Sequence, residues 1–236
     1  SNTKAIIINT PNNPTGKVFS SAELEEIAGL CIQWDCLAIT DEIYEHIIYD
    51  GKRHISIASL QGMADRTVTI NSLSKTYSVT GWRVGWALAR SHITNRIRKV
   101  HDFLTVGAPT PFQKAGVCAL NLEASYYATL RNRYARARDR LCEALVTVGF
   151  NLVPPRGAYY IMADADRLID QLDGGNAYSF SRKLITLAGI ATVPGTAFYH
   201  TADLGNNQVR FCFAKSQATL EEICLRLNKL KRAANI

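Results

Sequence analysis

No apolar run in the 236 residues approaches the roughly 20 needed to cross a bilayer; the longest, such as Ala5-Ile6-Ile7-Ile8, suit a buried strand. Low-complexity tracts and fixed-period repeats are also missing, which excludes a solenoid or a compositionally disordered chain. The 6 cysteines (Cys31, Cys36, Cys118, Cys142, Cys212 and Cys224) form no CxxC pair. They sit in apolar stretches, so buried free thiols are expected rather than a disulfide framework or a zinc site. The 5 histidines are scattered without ligand spacing, and no metal is expected. The first residues are polar and lack the charged-then-apolar layout of a secretory signal, so a cytoplasmic location is expected. What remains is ordinary for a globular protein: 47% hydrophobic and 20% charged, with length for one large domain or one and a half smaller ones.

The net charge of +7 favours anionic partners. Five arginines crowd one stretch: Arg131, Arg133, Arg136, Arg138 and Arg140. At helical spacing the five spread around most of the circumference, so a solvated helix is expected and a nucleic-acid surface is not.

Along the chain, Ala5–Asn9 reads as a buried strand and Asn12-Asn13-Pro14-Thr15-Gly16 as a turn. Ser20 and Glu23 form a capping box for a helix through Leu24, Ile27, Ala28 and Cys31. Strands at Cys36–Thr40 and Thr67–Asn71 follow, and the first βαβ unit implies a mainly parallel sheet. Trp82–Ala89 reads as another buried strand. Helices are expected from Ser91, over Thr110–Asn121 and over Ser125–Val148. After Gly149, short strands (Ala158–Met162, Ile190–Val193, Gln208–Ala214) alternate with helices (Ala177–Ala188, Thr219–Ala233). The expected architecture is α/β: part of a large domain with a mainly parallel sheet (residues 1–124), then a long connecting helix and a smaller α+β domain (residues 125–236).

Three polar clusters follow three strands: Asn13-Pro14-Thr15-Gly16, Asp41-Glu42-Ile43-Tyr44 and Ser72-Leu73-Ser74-Lys75. In an open α/β sheet the ligand crevice lies at the carboxyl ends of the strands, so the three can share one crevice. Singly each is bland. An Asn-Pro-Thr-Gly is usually a turn, Asp41 could cap a helix, and a lone Lys75 would be a surface lysine. Arg83, inside an apolar stretch, would need an anion if buried.

The run from Ser72 to Gly85 (Ser-Leu-Ser-Lys-Thr-Tyr-Ser-Val-Thr-Gly-Trp-Arg-Val-Gly) resembles the lysine signature of class I/II pyridoxal-phosphate-dependent aminotransferases over its whole length. Asn13–Gly16 and Asp41–Tyr44 resemble two further hallmarks of that family, in its order and at similar spacing. With Arg210 in Val209-Arg210-Phe211, the resemblance spans nearly the whole chain. It implies the fold type I architecture, pyridoxal 5'-phosphate as cofactor, and amino-group transfer between an L-amino acid and a 2-oxo acid. Lys75 then carries the cofactor as a Schiff base, which needs an amine that a cationic, partly desolvated pocket keeps partly neutral. The same residue is the proton shuttle. Asp41 matches the acid that keeps the pyridine nitrogen protonated. Asn13 and Tyr44 match donors to the ring's 3-oxygen; Ser72 and Arg83 match phosphate ligands, with Ser74 beside them. Arg210, with Asn13, matches the clamp on the substrate carboxylate, against the plainer alternative of a surface arginine on a sheet edge. Tyr159 and Phe198 are as well explained by core packing and are not assigned.

The resemblance begins in the middle of the family's pattern. The loop whose amides bind the phosphate and the aromatic that stacks on the ring have no counterpart before Ala5. A fragment is therefore expected, weakly active or inactive alone, with an uncovered apolar face that promotes self-association. A homodimer is implied for the intact protein. Two alternatives remain open: another reaction on the same cofactor, such as C–S β-elimination, or the aminotransferase-like domain of a cofactor-sensing regulator.

Overall fold

A computed structural model describes residues 2–172 and 175–233. Its contacts divide the chain into two compact units. The first comprises residues 1–12 and 17–131; the second comprises residues 13–16 and 132–236.

The first unit is built on a four-stranded sheet in the order β1 (Ala5–Asn9), β2 (Leu37–Asp41), β3 (Thr67–Ser72), β4 (Gly85–Leu88). The first three strands are parallel, and β4 returns antiparallel to β3. The connection from β1 to β2 runs through α1 (Ser21–Gln33). The connection from β2 to β3 is turns and one short 3-10 segment, Ile57–Ser59. α2 (Ser91–Leu104) and α3 (Thr110–Leu120) follow β4, and α4 (Ala124–Val148) runs across the division between the units.

α1 starts where its capping box predicts. Glu23 N–H donates to Ser20 Oγ at 3.3 Å, and Ser20 N–H donates to Glu23 Oε2 at 2.8 Å. Lys17 Nζ adds an ion pair to Glu23 Oε1 at 2.6 Å. The Lys17 hydrogen bond and the two Ser20 bonds hold the Glu23 carboxyl down at about 2. Its folded pKa lies below the ordinary value, so its contribution to stability is full above about pH 4.5 and fades as pH falls toward 2. A carboxyl-detected NMR titration is expected to place the Glu23 midpoint near 2; a midpoint at 4 or above refutes the box in solution.

One sheet face is covered. Ile8 and Ala38 pack with Leu24, Ala28 and Cys31 of α1 and with Ile57 and Met63. Burying a side chain the size of Ile8, Leu24, Ile57 or Met63 is worth about 1.5–3 kcal/mol of transfer free energy, and the alanines less. The other face is open: Ile7 is 77% exposed and Ile70 42%. The expectation that β1 and the Trp82–Ala89 stretch are buried strands is thus corrected. Within β4 only Trp86 is even half-buried, and Leu88 is 60% exposed. An apolar run reports that a surface seeks cover; it does not supply the cover. The thiols are free, but only Cys31, Cys36 and Cys142 are buried, while Cys118 is exposed.

The second unit holds an antiparallel sheet in the order β5 (Asn151–Leu152), β6 (Tyr160–Asp164), β8 (Gln208–Cys212), β7 (Val193–Pro194). α5 (Asp166–Gln171), α6 (Ala177–Ala188) and α7 (Gln217–Ala233) complete it. Its core joins Phe150 edge-on to Phe180 and Phe211, with Ile161, Leu184 and Val209 fully buried beside them. Among the described residues no helix is long and apolar enough to cross a membrane.

Candidate active site

Strand register builds the cavity of the first unit. Asp41 pairs with Ile70, Ile70 with Ala87, and Ser72 with Gly85. Directly paired residues share a face, so the open face carries Asp41, Ile70, Ala87, Ser72 and Gly85 side by side. All five line one cavity of about 580 Å³, together with Ser74, Lys75 and Arg83. Gly85 is required there: a Cβ would lie 2.9 Å from the Asn71 carbonyl oxygen and 3.1 Å from Ser72 Cβ.

Each polar side chain is set by local chemistry. Asp41 ends β2, and its Oδ1 accepts from the Ile43 N–H at 3.2 Å, turning the chain sharply after the strand. Glu42 points the other way and is 2% exposed. Its carboxylate accepts from Thr40 Oγ1 at 3.2 Å and Ser56 Oγ at 2.8 Å, and it pairs with His54 Nε2 at 2.6 Å. These bonds account for the buried charge and anchor the Asp41–Tyr44 segment from behind. Glu45, Glu42 and His54 lie close enough to hold a cation, but the hydrogen bonds already satisfy Glu42.

Lys75 sits on a single turn after β3. The turn is closed by Tyr77 N–H to the Leu73 carbonyl at 3.2 Å, and Ser74 N–H donates to Ser72 Oγ at 3.1 Å. Thr80 Oγ1 donates to the Ser74 carbonyl at 3.1 Å, and Tyr126 OH to the Thr76 carbonyl at 2.8 Å. Tyr77 stacks on Tyr126 and its hydroxyl lies 2.8 Å from that of Tyr127. Burial and the Tyr127 hydrogen bond push the Tyr77 hydroxyl well above the ordinary tyrosine range, so it stays protonated. Tyr126→Phe would leave the Thr76 carbonyl without this donor, at a cost of about 1–3 kcal/mol. The expected outcome is a lower denaturant midpoint; an unchanged midpoint would show that this hydrogen bond does not support the turn that carries Lys75.

Arg83 departs from the sequence expectation. It is exposed, it caps the 3-10 segment Thr80–Trp82 in the left-handed region at φ 56°, and its Nη1 donates to the Thr80 carbonyl at 3.1 Å. The reasoning from a buried arginine therefore fails, because the strand begins only at Gly85. Arg83 lines the cavity from its rim. Ser78, at φ 59°, is a second non-glycine residue in this sparsely populated region nearby. Tyr44 is 3% exposed and does not line the cavity. Ile43, Asn71, Thr80, Trp86 and His101 do, and sequence reading passed over them. Only the register opposite Asn71 and Ser72 brings Trp86 and Gly85 there, so no local signal in the sequence marked them.

The second unit carries the other candidates. Arg210 lies on β8 between β6 and β7, which overturns the sheet-edge alternative. Its guanidinium sits over the Tyr160 ring at 4.2 Å and the Phe198 ring at 4.9 Å. Arg210 Nη1 donates to Asn13 Oδ1 at 2.7 Å. The Asn13–Gly16 turn is held to this unit by the Arg156 and Gly157 N–H groups, both donating to the Gly16 carbonyl. A Cβ at Gly16 would meet Pro155 Cβ at 2.2 Å. Of the two unassigned aromatics, Phe198 therefore touches Arg210, while Tyr159 is in the core, 8% exposed.

The lining fits pyridoxal phosphate by chemistry. A carboxylate, an amine, three hydroxyls and a guanidinium surround a space of suitable size, with Ile43 and Val84 as apolar walls.

The sequence model of the family described as "Aminotransferase class I and II" matches residues 1–227. The chain is 39% identical to "Kynurenine--oxoglutarate transaminase 1" of Homo sapiens, over 98% of this chain and 58% of that protein. Among solved structures, N-succinyldiaminopimelate aminotransferase from Mycobacterium tuberculosis is similar with a TM-score of 0.90 and 38% identity, over 97% of this chain and 58% of that one. An aromatic aminotransferase from Pyrococcus horikoshii OT3 gives 0.87 and 40%, over 99% and 60%. The chain thus spans a little under three-fifths of the length of the curated relative.

Proposed function

The chain belongs to the class I and II aminotransferases, and on that premise we propose that its protein moves an amino group between an L-amino acid and a 2-oxo acid, with pyridoxal 5'-phosphate held in the first unit's cavity. The observation that carries this reading is the single cavity lined at once by Asp41, Lys75, Ser72 and Arg83. Bound there, the cofactor supplies an aldehyde to condense with amines and a ring that accepts the electron pair left when the α-proton departs.

The chain's own residues supply the rest. Lys75 Nζ offers the amine that fixes the cofactor; displaced by a substrate amine, the same atom takes and returns the α-proton. Asp41 would hold the ring nitrogen by a charge-assisted hydrogen bond and so keep a proton there. Ser72, Ser74 and Arg83 bind the phosphate, Arg83 as a fork of donors at the rim. Tyr44 is assigned the 3-oxygen by resemblance alone. Asn13 and Arg210 receive the substrate carboxylate; their mutual bond and the flanking Tyr160 and Phe198 rings fix the guanidinium plane.

Names of the relatives point to kynurenine, succinyldiaminopimelate or aromatic amino acids as amino donors. Arg210 reads only the carboxylate that every amino acid has. A cytoplasmic homodimer fits the reading. Its test is product analysis with L-kynurenine or L-phenylalanine and 2-oxoglutarate. Glutamate should form one-for-one with the donor's oxo acid. Ammonia and pyruvate from a cysteine S-conjugate, with no glutamate from any donor, would move the assignment to β-elimination.

A further inference from the structure

The five-arginine stretch of α4 acquires a direction in the structure. Arg138 turns inward: it is 5% exposed, donates to the Pro155 carbonyl at 3.1 Å and pairs with Asp139 at 2.8 Å. Arg133, Arg136 and Arg140 stand at i, i+3 and i+7, which on a 3.6-residue period is one stripe. That stripe forms one wall of a groove of about 540 Å³ in the second unit. The opposite wall is Lys215, Ser216 and Gln217, with Ala137 and Leu220 as the floor. Four cations therefore face one groove. Glu221 answers one of them, reaching Arg140 at 3.4 Å while also accepting from the Gln217 amide at 3.1 Å. Ser216 Oγ caps α7 through the Thr219 N–H at 3.2 Å and also meets Thr219 Oγ1 at 2.8 Å.

The geometry points to a second anion site, separate in its residues from the candidate active site and independent of the aminotransferase reading. Its ligand class is a small polyanion carrying two or three phosphate groups. Size decides between this and a nucleic acid. Arg133 to Arg140 covers seven helical steps, about 10 Å, room for two or three phosphates. A single-strand binding tract follows the backbone for about 4–16 nucleotides per module and stacks bases on aromatic rings. The groove lining contains no aromatic residue. Guanidinium forks suit phosphate oxygens, and like-charged side chains that otherwise repel one another gain from a multivalent counter-ion. The site is exposed, so binding should weaken steeply with salt, as screening over about 8–10 Å predicts.

Calorimetric titration of the 236-residue chain with tripolyphosphate at low ionic strength tests this. A site in the second unit is expected, at least about tenfold weaker in the double variant Arg133→Gln/Arg136→Gln; any further site that is lost in Arg83→Gln belongs to the other cavity. The control Arg96→Gln/Arg98→Gln on α2 removes the same charge elsewhere and should leave binding intact. Equal loss in that control would reduce the effect to net charge and overturn the site. Binding that is unweakened at every site in Arg133→Gln/Arg136→Gln, or that vanishes only in Arg83→Gln, would also overturn it. So would a single-stranded oligonucleotide that displaces tripolyphosphate with affinity rising with its length.

Discussion

In the full-length protein, Lys75→Ala is expected to abolish covalent attachment of pyridoxal phosphate and, with it, at least about 10⁴-fold of the transamination rate, since both the covalent step and the general-base step, itself worth 10²–10⁴, depend on that one amine. The measurement is borohydride reduction followed by peptide mass analysis. In the unaltered protein, one phosphopyridoxyl group should appear on the peptide that contains residue 75, and none should appear in the variant. Lys75→Arg keeps the charge but lacks a condensable amine, and it should fail in the same way. The turn around Lys75 is pinned by backbone and hydroxyl contacts from Leu73, Thr80 and Tyr126. Both variants should therefore keep the parent's melting temperature. Trapping on another lysine, or a rate within tenfold of the parent, would remove Lys75 from the mechanism.

Asp41→Asn should be the next most damaging change. An opposite charge within hydrogen-bond reach shifts a proton affinity by about 1–3 pH units, and each unit is worth 1.36 kcal/mol. Loss of the carboxylate at the ring nitrogen should then slow proton removal by about 10- to 1,000-fold. The side chain keeps its shape, and its Oδ1 can still accept the Ile43 N–H, so the turn after β2 should survive. Cofactor attachment at Lys75 should survive too, which separates this variant from Lys75→Ala. The deciding readout is the solvent-exchange rate of the substrate α-proton. If exchange is as fast in Asp41→Asn as in the parent, Asp41 does not serve the ring.

Part of the first unit's cavity lining was legible beforehand because its determinants are local. Asp41 and Ser72–Lys75 each end or follow an apolar β-branched run, and a polar residue that ends such a run must leave the sheet at its carboxyl end. The capping box of α1 and the span Ala177–Ala188 of α6 are likewise short-range facts, and both match. Reading failed where one stretch of chain needed another to interpret it. Trp82–Ala89 looked like a buried strand because its residues are apolar. In fact Thr80–Trp82 is a 3-10 segment, β4 is antiparallel, and most of the strand is exposed. Arg83 was placed inside the sheet by the same error. Phe198 could not be told from a core residue until Arg210 lay against its ring.

The sequence by itself determined which chemical groups exist and in what order: an amine after the third strand, a carboxylate after the second, a guanidinium on an apolar strand near the end, and turns where glycine and proline demand them. Side-chain identity and backbone preference act over a few residues, so they survive without the rest of the fold. Tertiary structure decided the pairings. It set Asp41, Ser72 and Gly85 on one face through strand register, brought Asn13 to Arg210 across 197 positions of chain, and turned Arg138 inward while its three neighbours faced one groove. Hydrophobic periodicity says that a face will be buried or left open; only the arrangement of distant segments, fixed by packing and hydrogen bonding between them, says what meets it.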